Sequence, residues 1–410
     1  MHIHPLTAPP LADSGVPRDA AAMVTTSTAP DLERMRRERH ARLVDQMRAQ
    51  DVDVFVATGG GSVTYATGAV TPAADGARAI HTRNVAVVTA DGAPPDVYTH
   101  WPEGVPAGHD PAHVHDALDL EWSDDAARLA RSLPGGRVAV DDCTMPLWAA
   151  LHGRDLVDAG SVLTPAKLVK TADELECIRR AQEINEAAIT DVEAILRPGV
   201  TTTELSGALL RGIFERGAAS NTVDPIWQVM ERDPARQPRS TTGDLVFPIP
   251  TRPRELVEGD LMWVDNGINF AGYQSDYGNA WIVGRTPNAR EREHRAVWCA
   301  LLNRVLATVR PGATCADLTA AAGEAFGRRP WLAHLYLAHG TGIESAELPY
   351  VGTDLGRAFD ESFVLAAGMV LVIEPITWED GVGGFRAEQI VAVTDDGHEP
   401  LSHVDTSAWD

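Results

Sequence analysis

Two stretches of the chain set acids inside otherwise apolar strand sequence, and no other feature restricts the fold as strongly. The first runs Leu261-Met-Trp-Val-Asp265-Asn-Gly-Ile-Asn-Phe-Ala-Gly-Tyr-Gln-Ser-Asp276. Asn269 to Gly272 is good turn material. A hairpin symmetric about Phe270-Ala271 sets Asp265 directly opposite Asp276, with Cβ atoms about 5 Å apart. The second runs from Gly368 through an apolar strand to Glu374, turns at Asp380-Gly-Val-Gly-Gly384, and returns as Phe385-Arg-Ala-Glu388-Gln-Ile-Val-Ala-Val. A hairpin centred on Gly381 sets Glu374 opposite Glu388. Like charges facing each other on a half-buried sheet repel, unless a cation lies between them or they share a proton. Two such pairs in one chain favour metal.

The fifth candidate is His339, in Leu337-Ala-His339-Gly-Thr-Gly342, where flanking glycine lets the backbone approach closely and leaves the imidazole accessible. A strand Asp taken alone is an edge residue, and a His before Gly taken alone is a turn residue; the set of five carries the argument. Two Asp, two Glu and one neutral His hold four negative charges, which two divalent cations balance. Such a dinuclear site has a bridging hydroxide and metals about 3.5–4 Å apart. Oxygen-rich ligation with one imidazole suits Mn, Fe, Co or Zn. Asp380, Asp395 and Asp396 are read as ordinary loop acids.

Elsewhere the pattern divides the chain. Residues 1–33, rich in Ala, Pro, Thr and Asp, are expected to be a disordered N-terminal extension. Over 34–160, helical periodicity from Leu32 to Gln50 and from Asp124 to Leu133 alternates with apolar strands at 52–56, 85–88 and 138–140. That alternation predicts a small α/β domain. Gly59-Gly60-Gly61 lacks the spacing of a phosphate loop and is read as a tight strand-to-helix turn. From 161 to 410 the pattern is α+β. Thr171-Ala-Asp-Glu174 is a capping box that opens a long helix to Leu196. Further helices are expected at 203–216, 290–309 and 315–327.

Charge and cysteine usage narrow the function classes. With 58 acidic against 35 basic side chains, the net charge is −23. That balance argues against nucleic-acid binding and against docking on anionic membrane. No apolar run approaches the ~18 residues of a membrane span. Four scattered cysteines form neither a disulfide framework nor a zinc ribbon, which suits a reducing compartment. The expected location is the cytoplasm.

The residues at the two acid pairs resemble those of the creatinase/prolidase/aminopeptidase P superfamily, the pita-bread metalloenzymes. The resemblance spans roughly residues 35–405. It rests on Asp265-x-Gly267, Gly272-Tyr-x-Ser-Asp276, His339-Gly-x-Gly342, Glu374-Pro375 and Arg386-x-Glu388. It implies an α/β N-terminal creatinase-type domain in front of an α+β pita-bread catalytic domain. It implies Asp265, Asp276, His339, Glu374 and Glu388 as metal ligands, with Glu374 also the general base, and a homodimer in which the N-terminal domain helps to close the partner's active site. Glu374 and His339 are the catalytic candidates.

The chain also departs from the peptidase pattern. Prolidase-like peptidases carry a second His seven residues after the first, where this chain has Ala346 in Ala346-Glu347-Leu348-Pro349. A further peptidase His lies upstream of a Gly-Asp pair, here Gly259-Asp260, yet Leu245-Val-Phe-Pro-Ile-Pro250 contains none. Those imidazoles contact the scissile amide, and donors of that kind contribute about 10²–10³ each in rate. The Thr-Arg-Thr-like run after the second Asp is replaced by Tyr277-Gly-Asn279-Ala-Trp281.

These departures favour a creatinase-like, non-peptidase hydrolase that cleaves a C–N bond in a small polar amide, amidine or dipeptide-like substrate. The alternatives are a metal-assisted lyase resembling dimethylsulfoniopropionate lyase, an Xaa-Pro dipeptidase or aminopeptidase, and a non-catalytic binding module. Arg386, on the same strand face as Glu388, either holds a substrate carboxylate or neutralises the crowded acids. Tyr277 and Arg83 are the other candidate substrate contacts.

Overall fold

The computed structural model describes residues 29–70, 83–232, 253–326, 337–352, 356–379 and 381–409. Most of the expected N-terminal extension, Leu245 to Pro250 and Asp380 lie outside these residues.

The chain enters through helix α1 (Leu32–Ala49), capped by the Asp31 side chain. Leu32 and Glu33, the last residues of the expected extension, already form its first turn. Strand β1 (Val54–Ala57) leads into α2 (Gly60–Thr67), so the triple glycine is a strand-to-helix turn. Strands β2 (Val85–Thr89), β3 (Asp96–Thr99) and β4 (Val114–Asp116) follow, then α3 (Ser123–Ser132), β5 (Arg137–Val140), α4 (Met145–Ala150) and β6 (Asp155–Asp158). They form a mixed six-stranded sheet in the order β4-β3-β2-β1-β5-β6. β1 is buried throughout because both faces are covered. Val54 and Val56 meet α3 and α4, while Phe55 and Ala57 meet α1 and α2. Cover on both sides explains why the central strands read as unbroken apolar runs.

Helix α5 (Gly160–Leu168) starts at the expected domain boundary and leads to α6 (Ala172–Glu193). The capping box forms as read: Thr171 Oγ1 accepts from Glu174 N, and Thr171 N donates to Glu174. Next come α7 (Thr202–Glu215), β7 (Ser220–Val229), β8 (Leu261–Phe270), β9 (Tyr273–Gln274) and β10 (Tyr277–Ile282). α6 and α7 cover one face of the β10-β8-β7 sheet through Ile184, Leu209, Val264 and Trp281. Helices α8 (Ala289–Leu306) and α9 (Cys315–Phe326) precede β11 (Ala338–Gly340), β12 (Glu347–Val351) and α10 (Arg357–Ser362). Strands β13 (Val370–Ile373), β14 (Ile376–Glu379), β15 (Gly383–Arg386), β16 (Gln389–Val393) and β17 (His398–Pro400) finish the chain. Five strands pair in the order β12-β11-β13-β16-β17, and β14 pairs with β15.

Two side-chain clamps tie the halves together. Arg34 makes a two-pronged ion pair with Asp173 at the start of α6. Arg39, 1 % exposed, donates to Tyr273 Oη, which donates to Glu174 Oε1.

Candidate metal centre

The turn of the first acid hairpin fixes where its acids stand. Phe270 pairs with Tyr273 around Ala271 (φ 52°) and Gly272 (φ 90°). Positive φ at both central residues is the two-residue turn whose twist matches antiparallel strands. The register therefore differs by two residues from the symmetric hairpin expected. Gly278, not Asp276, lies opposite Asp265, and Asp276 is level with Gly267. An even slip keeps every side chain on its face, so the two Asp remain diagonal neighbours. Behind them, Ser275 Oγ accepts from Asn185 Nδ2 on α6 and from Ile268 N, which holds the segment before Asp276.

The second hairpin has the expected register. Ile376 pairs with Arg386 and Ile373 with Gln389, which sets Glu374 level with Glu388. Trp298 Nε1 on α8 donates to Pro375 O at 2.7 Å and pins the backbone beside Glu374.

All five expected ligands come together. Oxygens of Asp265, Asp276 and Glu388 lie within 4.8 Å of one another. His339 Nε2, presented by β11, is 3.2 Å from Glu374 Oε1 and 3.4 Å from Asp276 Oδ2. Its Nδ1 faces Gly340 O at 2.9 Å, the contact that fixes the ring nitrogen turned away from the acids. Gln274 N donates to Gly342 O, so the loop after His339 is fastened to the hairpin that carries Asp276. Arg386 Nη2 stands among the acids, 2.6 Å from Glu374 Oε2, 3.1 Å from Asp265 Oδ2 and 2.5 Å from Glu388 Oε1.

The electrostatics are those of an acid cluster with too little cation. Burial raises the Asp276 carboxyl well above its ordinary range, and the charges of Asp265 and Glu374 push the same way. Burial raises Glu388 as well, against the charge of Arg386. Glu374 goes the other way: the charge of Arg386 and the hydrogen bond of His339 outweigh burial and hold it low. Burial disfavours the His339 imidazolium, yet the hydrogen bond and charge of Glu374 raise its affinity for a proton.

The profile of metallopeptidase family M24 matches residues 176–395, which carry all five of these side chains. The chain belongs to metallopeptidase family M24. It is 28 % identical over 244 residues to the Xaa-Pro dipeptidase of Pyrococcus furiosus, covering 59 % of this chain and 65 % of that protein. It is 25 % identical over 259 residues to the uncharacterized peptidase YqhT of Bacillus subtilis, covering 62 % and 68 %. The chain thus spans about two thirds of the length of these curated relatives. Its fold is that of the prolidase of Pyrococcus horikoshii, with a TM-score of 0.71 at 19 % identity over 90 % of this chain and 99 % of that one. Dipeptidase PepE of Mycobacterium ulcerans gives a TM-score of 0.69 at 24 % identity over 92 % and 97 %. These neighbours bear out the pita-bread architecture with its N-terminal α/β domain.

The donor set of this M24 chain fits divalent metal. Glu388 Oε2 is buried without a hydrogen bond, its Oε1 shares Arg386 Nη2 with Glu374 and Asp265, and that one guanidinium faces four acids. A buried anion left so poorly paired costs several kcal/mol unless another cation compensates it. Asp265, with a side chain 29 % exposed, is the most open member.

The three expected substrate contacts fare differently. Arg386 is buried among the acids, so its observed role is to neutralise them. Tyr277 is not brought to the site. Strand alternation turns it away from Asp265 into the core beneath α6 and α7, where its hydroxyl accepts from Asn279 Nδ2. Arg83 pairs with Asp142 in the N-terminal sheet at 2.5 Å and does not reach the acids of its own chain. Gly278 is the residue that sequence reasoning missed. A Cβ there would stand 2.4 Å from Glu388 Oε1, and Gly278 O accepts from Glu388 N. Its replacement of the usual run after Asp276 was the available signal.

Proposed function

We propose that the chain is a metal-dependent hydrolase that cleaves a C–N bond in a small polar amide, amidine or dipeptide-like molecule. The observation that carries this reading is the convergence of Asp265, Asp276, His339, Glu374 and Glu388 on one buried point. Asp265, Asp276, Glu374 and Glu388 would hold the ions through oxygen, and His339 would add one nitrogen. Two divalent ions of Mn, Fe, Co or Zn would lower the pKa of a water and polarise the substrate. Glu374, whose two oxygens face His339 and Arg386, would accept a proton from the attacking water and return it to the departing nitrogen. Arg386 keeps Glu374 ionised. Four free cysteines suit the cytoplasm, and no helix among the described residues is long and apolar enough to cross a membrane. The working unit in this reading is a homodimer, as in the superfamily it resembles.

A second reading, an Xaa-Pro dipeptidase, draws support from the M24 match and from the relative of that name. Ala346 separates the two. A peptidase-like imidazole is expected there, and Ala346 instead lines a cavity. No observation favours the lyase. Steady-state assays of the metal-loaded protein on Gly-Pro and Ala-Pro, beside a panel of small amides and amidines, decide between them. Turnover of the panel with proline dipeptides at least about 10²-fold poorer supports the first reading. Proline dipeptides cleaved as the best substrates would overturn it.

A further inference from the structure

Lysine occurs at only two positions in the chain, Lys167 and Lys170, and both are less than one-tenth exposed. They end α5 and face the start of β12. Lys170 Nζ donates to Lys167 O at 2.7 Å and Glu347 Oε2 at 2.8 Å. Glu347, also buried, accepts in addition from Glu344 N and lies 3.3 Å from Lys167 Nζ. The remaining partner of Lys167 is Glu344 Oε2 at 2.9 Å, on a side chain that is half exposed. Three members of this quartet cannot leave without stranding a buried charge, which costs several kcal/mol. Glu344 alone can swing into water and keep its solvation.

Lys167 and Glu344 border a cavity of about 210 Å³ whose other walls include Leu168, Ala346, Leu348 and Tyr350. That volume takes a small organic molecule of several heavy atoms. One wall of the cavity is tied to the acid cluster through strand pairing. Tyr350 is the cross-strand partner of His339, and directly opposed residues share a face with Cβ atoms about 5 Å apart. Arg386, one candidate for a carboxylate contact, is buried with its Nη2 shared among Glu374, Asp265 and Glu388.

We propose that this cavity is the carboxylate subsite of the enzyme. An aliphatic carboxylate displaces Glu344 and pairs with Lys167 Nζ, while its apolar body lies against Leu168, Leu348 and Tyr350. The inference rests on the hydrolase reading only in treating the ligand as part of a substrate.

The test is calorimetric titration of the full chain, metal-loaded and metal-stripped, with 4-methylpentanoate and its neutral amide. The carboxylate should bind in both forms and the amide at least about tenfold more weakly, as expected for a lost charge-assisted contact. Lys167→Met should weaken carboxylate binding about tenfold or more, and Lys167→Arg should restore part of it. Glu344→Gln should tighten it several-fold by removing the competing acid, an effect that a purely structural ion pair does not produce. Equal binding of acid and amide, binding unchanged in Lys167→Met, or Glu344→Gln that binds no tighter would each overturn the subsite. If Lys167→Met fails to fold, Glu344→Gln decides alone. Turnover failing on every substrate while these shifts appear would sink the hydrolase reading and leave the subsite standing.

Discussion

The two acid-bearing hairpins are built for the same task with different tolerance. In the first, a two-residue turn with positive φ at Ala271 and Gly272 sets the register, and Asp265 and Asp276 meet on the diagonal. In the second, the connection at Gly381, whose N–H donates to Arg232 O, carries Glu374 directly opposite Glu388. The first turn is wedged: a Cβ on Gly272 would stand 2.9 Å from Thr64 Cγ2 of the N-terminal half, whereas one on Gly381 meets nothing within 4 Å. The hairpin pressed against the other half has its position set from outside. The second is held within its own half, by its ladder, by Trp298 and by Arg232, whose carbonyl accepts from Gly381 N and whose guanidinium donates to Val382 O. Placement of the metal-ligating acids is thus shared between an element docked on the N-terminal half and one anchored within the catalytic half.

The comparison breaks most readily at the ligands. Replacing Glu388 by Ala leaves Arg386 and Glu374 in place but removes two buried carboxylate oxygens from the cluster. Turnover should fall about 10³-fold or more, while the circular dichroism spectrum stays native. Turnover within tenfold of wild type would show that the second hairpin supplies nothing essential.

Gly278→Ala probes where the two hairpins touch. Its methyl would force Glu388 aside, and metal affinity should drop about 10–100-fold, as for other losses of ligand support. Competition with a chelator reads the affinity directly. The contrast in docking predicts unequal stability losses at the turns. Gly272→Ala should cost about 2–3 kcal/mol from φ strain plus the clash with Thr64, against about 1–2 kcal/mol for Gly381→Ala from φ strain alone. Equal midpoints in urea would mean that the Thr64 contact yields freely.

The smallest effect concerns an acid that is fully partnered. Glu291, 4 % exposed at the start of α8, accepts from Arg285, Arg232 and Asn288 N. Burial works to raise it, but the hydrogen bonds of Arg285 and Asn288 and the charge of Arg285 outweigh that and hold it at about 2. A depressed carboxyl adds stability above its unfolded value of 4.5 that is lost as pH falls toward about 2. Glu291→Gln should therefore cost about 1 kcal/mol at pH 7, like other losses at a helix start. The gap to wild type should close between pH 4.5 and 2, as followed by thermal melts. A gap independent of pH would assign the loss to packing.

Much of this was legible in the sequence, for identifiable reasons. The capping box at Thr171–Glu174, the strand at Val54, and Glu374 level with Glu388 followed from local chemistry and alternation. The register of the first hairpin did not, because Ala271 gives no sign that it will adopt positive φ. Strand β7 escaped notice because Pro225 interrupts it; its pairing with β8 shifts register on either side of Val223. The inward turn of Tyr277 follows from alternation after Asp276, which the two-residue slip leaves unchanged. Arg83 was chosen without a register to place it, and its actual partner, Asp142, is remote in sequence.

The account rests on five donors gathering around divalent cations. Elemental analysis of the reconstituted wild-type chain beside Asp276→Ala tests this most directly. The expected result is about two transition-metal equivalents per wild-type chain, as a dinuclear site demands, and close to none in the variant. A wild-type chain that retains no metal, or a variant that retains as much as wild type, would contradict it.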